Sequence, residues 1–219
     1  MEENAVGMDA MFKGLVSRGY SPSVVYDIGA AEGGWTRWAS IYWPAARFIC
    51  FEPLEERQAD LKQLEKENAR VQCVFSGLGD VDDVRQFGVT DDLYGSSFAY
   101  EGRSSRSVKI QRLDSLVEGG KIPLPNFMKL DVQGYEKHVL NGGELATRAA
   151  ELILMECNFF AFCEAMSTLD VTIAYMSAKG YIPYEFVDFL RRPLDGAMGQ
   201  CDILFVRRDH PLVSRRRWV

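Results

Sequence analysis

A glycine-rich turn near the start of the chain is the first stretch whose residue types could do chemistry. Residues 27–34 read Asp-Ile-Gly-Ala-Ala-Glu-Gly-Gly and follow a short β-branched run. Small residues at Gly29, Ala31 and Gly33 allow backbone N–H groups to approach a ligand, and the start of the following helix favours a carboxylate or phosphate. Glu52 ends the next apolar run, where it can accept hydrogen bonds from a ribose diol. These features predict a site for an adenosine-containing cofactor, and the alternative is a structural turn beside an ordinary surface acid.

The same turn also fits a degraded dinucleotide-binding fingerprint, because Gly29, Ala31 and Gly34 keep the spacing of G-x-G-x-x-G. An NAD(P)-dependent oxidoreductase is therefore one alternative, and a nucleotide-binding module without catalysis is another. Two observations favour a different class. Asp27 precedes the glycines in a D-x-G-x-A-x-G arrangement similar to motif I of class I S-adenosylmethionine methyltransferases. Most nicotinamide dehydrogenases also need a separate substrate domain, for which a chain of 219 residues has no room.

A second group of candidate residues follows the apolar run 127–130. Asp131 is predicted to lie at the carboxyl end of a buried strand beside the cofactor strand, and therefore to face the reaction cleft. Asp131 is the first candidate for the base that takes a proton from an acceptor or orients it, and helix capping is the alternative. Glu156, at the end of the next strand, is the second candidate. The two acids could hold a divalent cation, but two carboxylates alone are weak evidence, so no metal ligand is assigned.

The elements that must position these residues alternate between strand and helix. Short β-branched or aromatic runs alternate with segments of helical period, which predicts a parallel sheet with helices on both faces. The last two runs, 181–188 and 201–207, are joined by a connector of twelve residues, too short for a crossover helix, so they should pair antiparallel. Residues 81–111 break the alternation and are expected to form loops and short strands. The other predicted strands are 24–27, 47–52, 71–75, 127–131 and 151–156, and the predicted helices include 35–43, 134–140 and 168–179.

Composition and charge exclude several classes of function. The chain is 47% hydrophobic, and its 25 Lys and Arg against 31 Asp and Glu give a net charge of −6, which provides no overall positive field for nucleic acid. Acidic Glu2 and Glu3 stand where a secretory signal would be basic, and no apolar run reaches the roughly 20 residues of a membrane span. The expectation is a cytoplasmic protein with neither nucleic-acid nor membrane partners. Five cysteines without a C-x-x-C motif argue against a disulfide framework and a zinc site.

The order of the motifs along the chain resembles that of the FkbM family of S-adenosylmethionine-dependent methyltransferases. They span roughly residues 22–207, and the K-x-D-x-Q-G-x-E block is the most specific of them. Ala31 departs from the family's usual G-A-N-x-G loop, which removes one side-chain contact and leaves the backbone cradle. The motifs are 25–30 (Val-Tyr-Asp-Ile-Gly-Ala), 51–53 (Phe-Glu-Pro), 113–116 (Leu-Asp-Ser-Leu), 129–136 (Lys-Leu-Asp-Val-Gln-Gly-Tyr-Glu), 139–142 (Val-Leu-Asn-Gly), 195–196 (Asp-Gly) and 200–206 (Gln-Cys-Asp-Ile-Leu-Phe-Val).

The resemblance implies a fold and an activity. The fold would be α/β, a Rossmann-like class I methyltransferase fold with a seven-stranded, mostly parallel sheet, a C-terminal antiparallel hairpin and helices on both faces. The activity would be O-methylation of a hydroxyl on a sugar or secondary metabolite, with S-adenosyl-L-methionine as cofactor and S-adenosyl-L-homocysteine as product. The partner would be a small hydroxylated acceptor. Residues 1–219 would form a single domain with its core at about 22–207, a helical extension at 1–21 and a tail at 208–219.

The resemblance also implies roles for individual residues. Gly29, Ala31 and Gly33 would line the methionine part of the cofactor, and Glu52 would hold the ribose hydroxyls. Leu78 would pack against the adenine, and Asp80 would accept from its exocyclic amine. The full expected cofactor set is Asp27, Gly29, Ala30, Ala31, Gly33, Glu52, Pro53, Gly77, Leu78 and Asp80.

Two further sets of polar residues fit an ordinary structural or surface role. Ser96 and Ser97 occupy a Gly-Ser-Ser segment that recurs in the family and also fits a polar loop tip. His138 lies one turn into the predicted helix that follows Asp131 and is interpreted as a solvent-exposed helix residue. The acceptor pocket would come from 81–111, 157–167 and the terminal connector, whose loop chemistry does not identify a ligand.

Overall fold

The computed structural model describes residues 7–99, 104–163 and 166–214 and is built on a central sheet of seven strands. The strands in chain order are β1 Val24–Ile28, β2 Arg47–Phe51, β3 Val71–Val74, β4 Gly77–Leu78, β5 Asp83–Val89, β6 Ser104–Gln111, β7 Phe127–Leu130, β8 Leu152–Asn158, β9 Tyr181–Arg191 and β10 Met198–Arg207. The central sheet has the order β3-β2-β1-β7-β8-β10-β9. Neighbouring strands from β3 to β8 are parallel, whereas β10 is antiparallel to both β8 and β9. The predicted mostly parallel sheet with an antiparallel C-terminal hairpin is confirmed.

Helices cover both faces of this sheet. One core joins the sheet to α4, α5, α6 and α7, and a second joins it to α1, α2 and α3. Because apolar side chains alternate between the two cores along each strand, every central strand is buried on both sides. The helices are α1 Met8–Ser17, α2 Gly34–Tyr42, α3 Gln58–Glu67, α4 Leu113–Glu118, α5 Glu136–Asn141, α6 Glu144–Ala149 and α7 Leu169–Ala178.

Strand β7 shows this double burial and its one exception. Phe127 packs into the core with α1 to α3, and Met128 packs into the core on the opposite face. Lys129 follows on the first face and is also buried, with 7% of its surface exposed. A buried lysine needs oxygen partners, and these lie at the end of the strand, where the candidate site begins.

The segment that breaks the strand and helix alternation forms a sheet of its own. Strands β4, β6 and β5 pair in that order, with β5 antiparallel to β6 over seven residue pairs. Phe87, Val89 and Val108 of this sheet pack against Leu54, which follows β2. The sequence predicts short strands here but not their regular pairing, and the small sheet lies directly beside the end of β2.

The C-terminal hairpin is longer than the sequence predicts. Strand β9 continues to Arg191 and β10 begins at Met198, so the connector spans 192–197 rather than twelve residues. In this extension Phe189 and Leu190 lie on β9, the edge strand of the sheet, and are exposed. Because these residues are not buried, the sequence shows no apolar alternation here, and Gly199 inside β10 weakens the strand pattern further.

Helix α1 lies within the predicted N-terminal extension. Residues 1–6 and the end of the predicted tail, 215–219, lie outside the described part of the chain. Within the described ranges, each helix is too short or too polar to cross a bilayer.

Candidate active site

A cavity opens at the carboxyl ends of β1, β2 and β7, which are neighbours in the sheet. Open α/β sheets bind their ligands at this edge. The walls combine many apolar side chains with a few polar ones, as is usual for small-molecule sites. The lining residues are Ile28, Gly29, Ala31, Phe51, Glu52, Pro53, Leu54, Arg57, Ser76, Gly77, Leu78, Phe87, Leu93, Tyr94, Ser96, Phe98, Asp131, Val132, Gln133 and Tyr135.

The turn after β1 brings its backbone to the cavity wall. Gly29 has a φ of +78°, and a Cβ at this position would lie 1.9 Å from the carbonyl oxygen of Asp131. Only glycine fits there, because the two backbone segments touch. Ala31 also has a positive φ, +46°, and its N–H donates to Glu52 Oε2 at 2.9 Å. The turn is therefore fixed by contacts within the protein, because the N–H groups of Gly29 and Ala30 also donate to the carbonyl oxygen of Phe51 at 3.0 and 3.1 Å.

Glu52 joins the turn after β1 to the end of β2 from inside the cavity. Its side chain is buried, and Oε1 accepts the N–H of Leu54 at 2.9 Å while Oε2 accepts that of Ala31. Burial raises the pKa of Glu52, and the hydrogen bonds from Leu54 and Ala31 oppose that shift. Since a carboxylate can accept about four hydrogen bonds, capacity remains for a diol in the cavity.

Lys129 links the cofactor turn to the predicted catalytic acid. Its Nζ donates to the carbonyl oxygen of Gly29 at 3.1 Å and lies 3.4 Å from Asp27 Oδ1 and 3.3 Å from Asp131 Oδ2. Burial lowers the pKa of Lys129, but the charges of Asp131 and Asp27 outweigh burial, so its pKa lies above the ordinary value. Asp27 is fully buried and is also bonded to Thr36 Oγ1 at 2.7 Å. Sequence reasoning gave Lys129 no role, although it belongs to the most specific motif.

Asp131 lies at the edge of the cavity with 41% of its side chain exposed. Its Oδ1 accepts the amide of Gln133 at 2.8 Å, and the same amide nitrogen lies 3.2 Å from Glu156 Oε2. Gln133 has a φ of +55°, and Ser97 Oγ fixes this turn by donating to the carbonyl oxygens of Val132 and Gln133. The two predicted acids are thus adjacent and joined by one side chain. Glu156, however, does not line the cavity.

Asp202 is a third acid of this group that sequence reasoning did not assign. It lies directly across from Glu156 in the pairing of β10 with β8. Burial, and then the charge of Asp131, raises the pKa of Asp202 to about 7. The same two causes raise the pKa of Glu156 well above its ordinary value. In the described ranges, no group of three or more His, Cys, Asp or Glu side chains has the arrangement of a metal site.

The predicted cofactor residues divide into two groups. Gly29, Ala31, Glu52, Pro53, Gly77 and Leu78 line the cavity together with Asp131, whereas Asp27, Ala30, Gly33 and Asp80 do not.

Specific packing explains why two of the excluded residues lie outside. A Cβ on Gly33 would meet Leu64 of α3, so this glycine serves the packing of α2 on α3 rather than the cavity. Asp80 Oδ2 is hydrogen-bonded to His138 Nδ1 at 2.9 Å. The His138 ring stacks on the Tyr135 ring, with 4.2 Å between the ring centres. His138 is therefore a partner of Asp80 and not a plain exposed residue. Tyr135 stands at the cavity wall in place of Asp80.

Other polar residues of the cavity were not predicted. Ser76 is buried, and its Oγ has no hydrogen-bond partner in the described structure. Arg57 and Tyr94 line the cavity from two different segments. The only sequence signal for Ser76 is its position just before the predicted adenine segment, and Tyr94 comes from the irregular region for which no role was assigned. A buried hydroxyl without a protein partner beside a cavity is a candidate for a ligand contact.

Glu136 fixes the turn that presents Asp131. Its Oε1 accepts the N–H groups of Val132 and Gly134, both at 3.1 Å, and only 7% of the residue is exposed. Burial raises the pKa of Glu136 from 4.5 to about 7 against the effect of these backbone donors. Between about pH 4.5 and 7, Glu136 is therefore protonated in the folded protein and ionised in the unfolded chain.

This proton predicts a pH-dependent stability. Because the folded state binds more protons between about pH 4.5 and 7, the free energy of unfolding should fall as the pH rises through that range. Glu136→Gln should match the wild type at the acid end and be more stable by about 3 kcal/mol above about pH 7, since each pKa unit is worth about 1.4 kcal/mol. Urea unfolding of both proteins across this pH range measures the difference. A difference that does not change with pH would contradict the assignment.

Comparisons with known proteins agree with this fold and site. A family model described as the Methyltransferase FkbM domain matches residues 27–183. The hexuronic acid methyltransferase AglP of Haloferax volcanii is 38% identical over 52 residues, which are 24% of this chain and 22% of that protein. The solved structure of Methyltransferase FkbM from Methylobacillus flagellatus superposes with a TM-score of 0.55 at 15% identity, covering 84% of this chain and 43% of that one. Magnesium protoporphyrin IX methyltransferase from Synechocystis, solved with bound S-adenosylmethionine, gives a TM-score of 0.54 at 10% identity over 91% of this chain and 77% of that one.

The fold and the position of the cavity define the class. A seven-stranded sheet in this order, with its cavity at the carboxyl ends of the parallel strands, is the class I methyltransferase fold. The chain belongs to the FkbM methyltransferase family, because the family model matches most of its length. This confirms the resemblance read from the motifs. The alignments span less than half of the AglP protein and of the FkbM structure.

Proposed function

We propose that the chain transfers the methyl group of S-adenosylmethionine to a hydroxyl oxygen of a small molecule, a sugar or a secondary metabolite. The observation behind this proposal is the half-exposed carboxylate of Asp131 at the edge of the cavity, held by Lys129 and Gln133. Family membership supports methyl transfer. The short alignment with a hexuronic acid methyltransferase supports a sugar-like acceptor. The family model describes a methyltransferase, which favours methyl transfer over hydride transfer to a nicotinamide.

The residues of the cavity suit an adenosine cofactor. Gly29 and Ala31 place small residues at the cavity wall, Glu52 has hydrogen-bonding capacity for a ribose diol, and Ser76 offers an unpartnered hydroxyl. Pro53 and Leu78 provide apolar wall. When bound, S-adenosylmethionine supplies an electrophilic methyl group on a sulfonium centre.

The protein's own contribution is to position and deprotonate the acceptor. An alcohol is a weak nucleophile until its proton is removed, and Asp131 is placed to accept that proton at a carboxylate oxygen. The acceptor oxygen forms the new bond to carbon as the carbon–sulfur bond breaks. Lys129 holds the Asp131 carboxylate in place, because its ammonium lies 3.3 Å from Oδ2. Holding the two substrates in line supplies much of the remaining acceleration.

A panel of acceptors tests the proposal. The protein is incubated with methyl-labelled S-adenosylmethionine and with neutral sugars, uronic acids and phenolic or aliphatic alcohols. The expected product carries one labelled methyl group on an oxygen, identified by mass spectrometry and NMR. Label found only on nitrogen or carbon atoms of amine- or ring-containing acceptors would contradict O-methylation.

Ser76 provides a prediction that separates binding from stability. Because its buried hydroxyl has no partner in the protein, Ser76→Ala should leave the free energy of unfolding unchanged or slightly higher. The same change should weaken binding of S-adenosylhomocysteine by roughly three- to tenfold, the effect of about 0.5–1.5 kcal/mol per hydrogen bond. Calorimetric titration and urea unfolding measure the two quantities. Ser107→Ala, on the exposed face of β6, is the matched control, and equal affinity in both variants would remove Ser76 from the site.

A further inference from the structure

Three side chains from three separate segments meet on the outer side of the cavity. Tyr94 donates its hydroxyl hydrogen to Glu32 Oε1 at 2.7 Å. Arg57 lies 3.1 Å from Glu32 Oε2, and its guanidinium stacks over the Tyr94 ring at 4.6 Å. Glu32 follows the turn after β1, Arg57 follows β2, and Tyr94 belongs to the segment between β5 and β6. Each pair of the three is therefore in direct contact.

The position of Tyr94 is not explained by core packing. The residue is 58% exposed, while the Arg57 side chain beneath it is only 14% exposed. A large aromatic ring at the surface gains little from burial, so its polar and cation–π contacts determine where it lies. Tyr94 and Arg57 both line the cavity on their inner sides. Both residues are therefore part of the cavity wall, and Tyr94 is the one of the two that reaches the surface.

The segment that contains Tyr94, residues 90–96, is fixed at both ends. At its start β5 is paired with β6, and at its end Ser97 exchanges backbone hydrogen bonds with Gly88 at 2.9 and 3.0 Å. Leu93, next to Tyr94, adopts a φ of +67°, which a leucine rarely does. A short segment with fixed ends and a strained tip can change conformation at the tip alone. Its tip is joined to the two cofactor turns through Tyr94.

The contacts of Glu52 can be compared with the contact between Glu32 and Arg57. From inside the cavity, Glu52 joins the same two turns that Glu32 and Arg57 join from outside. The inner connection is buried and runs from the Glu52 carboxylate to backbone N–H groups, whereas the outer one joins side chains, of which Tyr94 is 58% and Glu32 38% exposed. Contacts of exposed side chains are weak and open readily, so the outer connection is the one that can break without unfolding the site.

We propose that Glu32, Arg57 and Tyr94 form a latch that closes the cofactor cavity and sets the rate at which the cofactor enters and leaves. This inference rests on the proposed function, since it places S-adenosylmethionine or its product in the cavity. In the structure the contacts of Tyr94 with Glu32 and Arg57 are all made, so a latch built on them must open both for binding and for release. Closure between these events excludes water from the cavity.

Stopped-flow measurements with S-adenosylhomocysteine test the latch without an acceptor. The association and dissociation rate constants are compared for the wild type, Tyr94→Ala, Tyr94→Phe and Glu32→Gln. A latch predicts that Tyr94→Ala raises both constants by about tenfold, the ratio that corresponds to about 1.4 kcal/mol, while the dissociation constant changes by less than about threefold. Tyr94→Phe, which keeps the ring on Arg57 but loses the hydroxyl, should give smaller increases in the same direction. Tyr175→Phe removes a surface hydroxyl bonded to Asn141 outside the cavity lining and should change neither constant.

The possible outcomes distinguish the latch from the proposed function. A rise in dissociation alone, with unchanged association, would make Tyr94 an ordinary contact and overturn the latch. Rate constants equal to those of the wild type in all three variants would overturn it as well. If the wild type does not bind S-adenosylhomocysteine at all, the proposed function fails and the latch fails with it. Thermal unfolding of each variant confirms that the fold is intact.

Discussion

Asp131→Asn is expected to lower the rate of methyl transfer by about 10²- to 10⁴-fold and to leave the affinity for S-adenosylhomocysteine within about threefold. Asparagine keeps the size of the side chain and can still accept the amide of Gln133, which Asp131 accepts at 2.8 Å. It cannot take a proton from an alcohol. The measurement compares single-turnover rates with calorimetric affinities for the same preparation.

Two variants sharpen this test. Asp60→Asn makes the same chemical change on the exposed side of α3 and should leave both quantities unchanged. Glu156→Gln should lower the rate less than Asp131→Asn, because Glu156 does not line the cavity and burial raises its pKa well above the ordinary range. If Glu156→Gln abolishes transfer and Asp131→Asn does not, the base has been assigned to the wrong acid.

Lys129→Met is expected to lower the free energy of unfolding by about 3–5 kcal/mol. The change removes the only cation bonded to the buried carboxylate of Asp27 in the described structure and releases the carbonyl oxygen of Gly29. A buried charge without a partner costs this much, and the loss is a large part of the total stability of an ordinary domain. Urea unfolding at neutral pH measures it, with Lys62→Met on the exposed side of α3 as the control.

A double variant shows whether the loss comes from the charge of Asp27. Lys129→Met combined with Asp27→Asn should recover more than half of the lost stability, because removing both partners of a buried pair is often close to neutral. Additive losses in the double variant would mean that Lys129 stabilises the protein by packing alone. A loss below about 1 kcal/mol in the single variant would contradict its role as the link between the turn and Asp131.

The sheet could be predicted because its strands are buried on both faces. Runs such as 127–130 and 152–157 are almost continuously apolar, and their order with the intervening helical periods defines a parallel sheet. The sequence does not predict strand pairing where the strands are exposed. The outer half of the hairpin, around Phe189 and Leu190, pairs without burial and therefore has no apolar alternation.

The backbone part of the site could also be predicted, since it depends on local chemistry. Short sequence motifs indicate both the glycine turn at Gly29, which has a positive φ, and the carboxylate of Glu52. Gly33 and Asp80 are predicted cofactor residues that do not line the cavity, and their neighbours Leu64 and His138 are distant in sequence, so no local pattern reveals these contacts. Motif position alone does not say which side of a turn faces a ligand.

The remaining site residues depend on contacts between distant segments. Lys129 and Asp27 are 102 positions apart in the sequence. They meet because the parallel register of β1 and β7 places them side by side. Asp202 reaches Glu156 only through the antiparallel register of β10 with β8. Tyr94 comes from a region without recognisable period. Each of these needs the folded sheet before its chemistry becomes visible.

Calorimetric titration of the wild-type protein with S-adenosylhomocysteine and, separately, with NADH tests the central claim most directly. The site described here predicts one molecule of S-adenosylhomocysteine bound per chain and no heat of binding with NADH. Binding of NADH without binding of S-adenosylhomocysteine would contradict the assignment of the cavity to a methyl-transfer cofactor.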